Sequence, residues 1–225
     1  METNKRGKIK EMRIFFTSDL HFGHENVLKF DDRPFETVEE MDEELIRRWN
    51  NKVDKGDLVY VLGDLIWKTA NNEAVSILKR LIGQIILIKG NHDRFIKNAT
   101  AKNALAGLKD YDDICVALAD GTTRRCILSH YFMPFYNGHR YNAIHLHGHS
   151  HKTEEHYLEL GIIKAIKDNG YEPQIYNVGC MLWNYEPVTL DEILSCKTEL
   201  DVIDELNQQE NIEENGEEKE QPSDV

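Results

Sequence analysis

The stretch His145-Leu146-His147-Gly148-His149-Ser150-His151 organises this 225-residue chain. The apolar run Ala143 to Leu146 leads into it, and Gly148 breaks that run where the imidazoles crowd together. His149 and His151 stand two residues apart, so one loop can present both rings to neighbouring metal ions. His-rich patches also occur as solvated surface, so the stretch takes its meaning from the rest of the chain.

Working outward, residues 13–18 form an apolar run too continuous for a half-exposed strand. It ends in Asp19-Leu20-His21, and side chains two apart on extended chain face the same way, so this carboxylate and imidazole can grip one cation. His24 follows, then a polar loop through Pro34. Thr37 with Glu40 forms a capping box for a helix that buries Val38, Met41, Leu45, Ile46 and Trp49. A second buried strand, residues 57–62, ends in Gly63-Asp64. A helix carrying Ala74, Ile77, Leu78 and Leu81 stops at Gly83. The strand 85–88 then runs into Lys89-Gly90-Asn91-His92-Asp93.

Beyond it the pattern predicts a short helix over 99–106, a β-rich stretch over 114–118 and a hairpin turn at Asp120-Gly121. The strand 126–129 ends at His130. Residues 154–170 read as a loosely defined helix, and 174–179 as a late strand. Thr189 with Glu192 caps a last helix whose apolar face is Leu190, Ile193 and Leu194.

The length suits a single domain over residues 1–198, with 1–11 as a polar extension. The net charge of −13 is uneven: eleven acids against one Lys place −10 of it in residues 199–225. That segment reads as the end of the last helix and a disordered acidic tail. With no basic patch to track a phosphate backbone, the balance weighs against long nucleic acid as a partner, while a nucleotide or nucleic-acid end stays open. No apolar run approaches the ~18 residues of a membrane span, and the N-terminus lacks a signal-peptide core. Four scattered cysteines (Cys115, Cys126, Cys180, Cys196) suit reduced thiols in a cytoplasmic protein.

One event recurs five times: an apolar strand, then a metal-competent side chain where it ends. In α/β sheets ligands bind beyond the carboxyl ends of strands, so the five blocks point to one shared metal centre. Their order, Asp-x-His, Gly-Asp, Gly-Asn-His-Asp, His, Gly-His-x-His, resembles the calcineurin-like metallophosphoesterase superfamily over roughly residues 12–195. Residues 16–24 and Asn177-Val178-Gly179 look like a small bacterial and phage branch of it. The resemblance implies an α/β fold, a four-layer α/β/β/α sandwich with two mixed β-sheets. It also implies hydrolysis of a small phosphodiester or phosphomonoester by a metal-bridging hydroxide.

By the same resemblance, Asp19, His21 and His151 hold a first metal, Asn91, His130 and His149 a second, and Asp64 bridges both. A carboxylate suits the bridge because it offers two anionic oxygens. Ions ~3.5–4 Å apart can acidify a shared water and hold both oxygens of an in-line displacement. Mixed O and N donors suit two transition-metal ions, Mn²⁺ first, with Fe or Zn fitting too. The catalytic residues implied are Asp64 and His92, the latter facing the substrate as acid or charge stabiliser. His24, Arg94 and Arg140 are candidate substrate contacts; His139, His145, His147 and His156 read as structural or surface.

The second block departs from the protein phosphatases of the superfamily. Where they carry Gly-Asp-x-x-Asp-Arg, this chain reads Gly63-Asp64-Leu65-Ile66-Trp67-Lys68. The Asp that orients the catalytic His is replaced by Trp67, and the phosphate-clamping Arg is missing, which argues against protein phosphatase activity and tilts the expectation toward diesters. Asp93 is read as a turn or outer-shell contact. The alternatives are a nuclease acting on nucleic-acid ends and a non-catalytic metal-binding scaffold.

Overall fold

The computed structural model describes residues 12–67 and 72–196. The expected N-terminal extension, the acidic tail and Lys68 lie outside the described residues. Nine strands follow in chain order: β1 (Ile14–Thr17), β2 (Leu58–Val61), β3 (Gln84–Ile88), β4 (Gly107–Lys109), β5 (Asp112–Ala117), β6 (Thr123–Leu128), β7 (Ile144–His147), β8 (Ile175–Asn177) and β9 (Val188–Thr189). The α-helices are α1 (Val27–Phe30), α2 (Val38–Lys52), α3 (Glu73–Arg80), α4 (Ala99–Asn103), α5 (Glu154–Asp168) and α6 (Leu190–Ser195). All strands belong to the first of two compact units, which runs to Ile193.

The strands form two mixed sheets, as expected. One has the order β4-β3-β2-β1-β9, with β4 to β1 mutually parallel and β9 antiparallel to β1. The other has the order β5-β6-β7-β8, in which β5 and β6 are an antiparallel hairpin and β6, β7 and β8 are parallel. Successive side chains on a strand point to opposite faces. In the first sheet Phe15, Val59, Val61, Ile85 and Leu87 therefore share a core with Met41, Leu45 and Trp49 of α2 and Ile77 and Leu78 of α3. The alternate residues Phe16, Tyr60 and Ile88 are equally buried on the opposite face. From that face Tyr60 Oη donates to Asp112 Oδ2 of the second sheet at 3.3 Å.

Local signals account for most boundaries. Thr37 Oγ1 accepts the Glu40 N–H at 3.1 Å, while the Glu40 carboxylate takes the Glu36 N–H at 2.9 Å, so the expected capping box is only half closed. At α6 both halves form between Thr189 and Glu192. At the β5–β6 hairpin Gly121 takes φ +84°, which suits glycine. The helix expected over 99–106 stops at Asn103, because the chain turns to pair β4 with β3. Strands β4 and β9 escape a periodicity argument, being three and two residues long. The single turn α1 falls in the segment read as loop. The loosely defined segment from Glu154 is the fifteen-residue helix α5. All four cysteines are free thiols. No helix among the described residues is long and apolar enough to cross a membrane.

Candidate metal centre

Because β1, β2 and β3 are parallel neighbours, their carboxyl ends emerge on one edge, as do those of β6 and β7. Five of the seven candidate ligands stand in the left-handed region that non-glycine residues rarely adopt: Asp19 (φ 56°), His21 (54°), Asp64 (55°), His149 (74°) and His151 (52°). Cross-loop hydrogen bonds hold them there. Asp19 N–H donates to Gly63 O at 3.0 Å, and His21 N–H donates to Asp64 O at 2.9 Å. His149 N–H donates to Asp19 Oδ2 at 2.9 Å, joining the loops of the two sheets. Gly148 is required for this approach, since a Cβ there would collide with Ser18 Oγ and Asp19 Oδ2.

In the first group Asp19 Oδ2 is occupied, accepting from Ser18 Oγ at 2.6 Å as well as from His149. Asp19 Oδ1 is buried without a hydrogen-bond partner, 3.7 Å from His151 Nε2. His21 Nε2 and His151 Nε2 face each other at 3.1 Å. Two ring nitrogens about 2.1 Å from one cation, at angles between octahedral and tetrahedral, lie roughly 3.0–3.4 Å apart, so this set fits a divalent ion. Burial, then the facing His151, holds the His21 pKa well below the usual range, leaving it a neutral donor. For His151 burial opposes protonation, but Asp19 and Asp31 outweigh it and raise the pKa.

In the second group His130 Nε2 lies 2.9 Å from Asn91 Oδ1 and 3.2 Å from His149 Nδ1. His130 Nδ1 donates to Leu62 O at 2.8 Å, which selects Nε2 as the lone pair facing the site. Asn91 is exposed, so the centre opens to solvent on its side. Asp64 stands between the groups: its Oδ2 is 3.7 Å from His21 Nε2 and 3.7 Å from His130 Nε2. Asp64 Oδ1 accepts the His92 N–H at 2.9 Å, and Oδ2 is the oxygen that faces both groups.

Comparison with known proteins shows the family. Residues 12–168 match the family model of the calcineurin-like phosphoesterases. The chain belongs to that family. It is 32% identical over 210 residues to the uncharacterized protein MJ1445 of Methanocaldococcus jannaschii, covering 87% of this chain and 97% of that protein. It is also 30% identical over 202 residues to the Gene 66 protein of Mycobacterium phage D29, covering 80% of this chain and 93% of the phage protein. A protein of unknown function from Aquifex aeolicus, AQ665, has a similar crystal structure, with a TM-score of 0.60 at 24% identity over 81% of this chain and 98% of that one.

Around this candidate centre lie supporting residues, of which the sequence singled out Asp93 alone. Asp31 and Arg33 form a buried ion pair at 2.8 Å. Arg33 also donates to Asp19 O at 2.7 Å and Leu20 O at 2.9 Å, and Asp31 Oδ2 sits 3.2 Å from His151 Nδ1. The pair therefore props the Asp19 loop and faces the far side of the His151 ring. Buried Glu159 on α5 accepts from Ser150 Oγ at 2.7 Å, securing the loop between His149 and His151. Asp93 binds backbone: Oδ2 accepts from Asp64 N–H and Gly90 N–H, and Oδ1 from Leu65 N–H. An Asp and an Arg in a polar loop look like solvated surface in sequence, so no local signal marks the first pair.

The remaining expected residues divide. The His92 ring makes aromatic contacts among the described residues, with Trp67 at 4.7 Å and His21 at 5.8 Å. Trp67, from the second block of this chain, thus packs directly on the His92 ring. His24 lines the same edge, stacked on Trp67 at 3.8 Å, and burial followed by His92 lowers its pKa to about 4. Arg94 is exposed beside His92. Arg140 is corrected: it lies over the Tyr171 ring at 5.3 Å, before β7, whereas the centre lies beyond the other end of that strand, roughly 13 Å away. His145, His147 and His156 are buried and His139 half-buried, none of them simple surface. His145 bonds Ile127 O and the Met133 N–H, in keeping with a structural role.

Proposed function

We propose that this chain is a dinuclear metal-dependent phosphoesterase acting on a small phosphodiester or phosphomonoester, diesters being preferred. The observation that carries the reading is Asp64 Oδ2, equidistant at 3.7 Å from one imidazole of each donor group. Asp19, His21 and His151 would hold one ion, Asn91, His130 and His149 the other, and Asp64 both. The mixed O and N donors favour manganese, with iron or zinc also suited. The chemistry that a bound cation pair supplies is Lewis acidity and a lowered pKa for a shared water.

The protein's own contribution is placement. Asp64 Oδ1 holds the His92 backbone N–H, so the acid is fixed relative to the shared carboxylate. The half-buried His92 ring is positioned to give a proton to the leaving oxygen as charge develops there. Trp67 packs against that ring at 4.7 Å and helps to set its orientation. The missing second-block Arg removes a fork suited to a dianionic terminal phosphate.

The test is metal analysis of manganese-reconstituted protein, with turnover of a monoester and a diester of one chromophore. Close to two ions per chain, lost together in Asp64→Ala, with diester turnover exceeding monoester turnover, is the expected result. One ion or none after loading defeats the paired centre.

A further inference from the structure

Exposed aromatic rings stand around the candidate centre; the hydrolytic chemistry proposed above uses Trp67 to set the His92 ring and leaves Phe30 without a role. Phe30 is 51% exposed and Trp67 39%. Phe30 lies edge-on to His151 at 5.5 Å, and Trp67 is tilted against His21 at 6.3 Å. His24, itself buried, lies behind them, stacked on Trp67 with an 11° interplanar angle and 5.7 Å from Phe30. The three rings make a continuous wall that starts at a candidate ligand of the first ion and reaches His92, the proposed acid, through Trp67.

Packing does not account for the exposed Phe30 ring. Val27, fully buried, anchors the single turn α1, so Phe30 is not needed to hold it. A solvent-facing edge of large flat rings beside a phosphate-binding centre suits one kind of ligand, a planar group carried by the phosphoester. Base–aromatic stacking is sequence-tolerant because every base offers a π-face.

We infer that Phe30 and Trp67, backed by the buried His24 ring, form a stacking surface for a nucleobase, making the substrate a nucleoside phosphoester, an inference that rests on the phosphoesterase reading. Residues 1–198 carry a net charge of only −3, with no basic run to track an extended polyanion, which favours a small nucleotide.

The experiment compares binding of adenosine 5′-monophosphate and ribose 5-phosphate to manganese-loaded full-length protein, by calorimetry and tryptophan emission. The two ligands share the phosphate and sugar and differ in the base. The nucleotide should bind roughly 5- to 150-fold tighter, the range that stacking supplies, and should change the Trp67 emission. Trp67→Leu and Phe30→Leu should each lower that ratio, while Trp67→Phe, which keeps a ring, should retain most of it. Equal binding of the two ligands by the native protein overturns the inference.

If the leucine variants instead lose a bound cation with the ratio unchanged, the rings only shield the ligands, and the inference again fails. Two bound cations and turnover of simple nitrophenyl esters, with equal binding of the two ligands, refute the wall and leave the phosphoesterase reading standing. A protein that holds no cation refutes both. A 5′-phosphorylated trinucleotide binding more tightly than the mononucleotide supports the wall with a nucleic-acid end as its occupant.

Discussion

Asp93 Oδ2 accepts the backbone N–H of Asp64 at 2.9 Å, so one buried carboxylate fixes the chain beneath another. Asp93 also takes the N–H groups of Leu65 and Gly90, each at 2.8 Å, clamping the loops after β2 and β3 together. Burial raises its pKa to about 6, with Asp64 adding to the rise. In Asp93→Asn the amide offers one acceptor oxygen, and its NH₂ would face an N–H group. Each buried donor left unpaired costs about 1–3 kcal/mol. The variant should melt several degrees lower and bind fewer cations; native melting and metal content would show that the clamp is dispensable.

The Asp31–His151 contact predicts a loss of metal without a change in any ligand. Asp31→Asn should weaken cation binding by about 10- to 100-fold, the usual effect of removing a partner behind a ligating imidazole. Asp32→Asn serves as the control, because Asp32 is exposed next door. Calorimetric titration with Mn²⁺ checks the pair. Equal affinities in the two variants would assign Asp31 to the Arg33 ion pair alone.

Cation affinity should depend on pH through His151. Its pKa is raised above the usual 6.5 by Asp19 and Asp31 despite burial, so below that value the ring carries a proton that a cation must displace. Affinity should therefore rise with pH through and somewhat above 6.5, by about tenfold per unit below the pKa, and level off once the ring is neutral. His21, already neutral, adds no step in this window. Manganese titrations across the range would test the sign; affinity that falls as pH rises would contradict it.

His92→Ala should separate chemistry from metal binding. The ring contacts Trp67 and His21, and its backbone alone bonds Asp64, so the variant should keep both cations and most of its thermal stability. Its kcat should fall by ~10²–10⁴-fold, the usual worth of a general acid. The loss should shrink for nitrophenolate leaving groups, which need little protonation, and be largest for an alkoxide. A lost metal ion would make His92 a ligand, and equal losses on all substrates would make it a positioning group.

What the sequence determined by itself was the scaffold of strand ends. Apolar runs closing in Asp19, Asp64, Asn91 and His130 mark buried parallel strands, and such signals are local, carried by neighbours one to four residues apart. The Thr189–Glu192 box is legible for the same reason. Tertiary structure alone decided the rest. Which Asp64 oxygen faces both groups depends on the His92 N–H, 28 positions away. The Asp31–Arg33 pair is buried among the Asp19 loop, His151, Met41 and Tyr185, and His151 lies 130 positions from the His21 ring that it faces. Arg140 illustrates the converse, close in sequence to His149 yet separated from it by the length of β7. Contacts of that span leave no periodicity in the chain, since nothing fixes them until the two sheets pack.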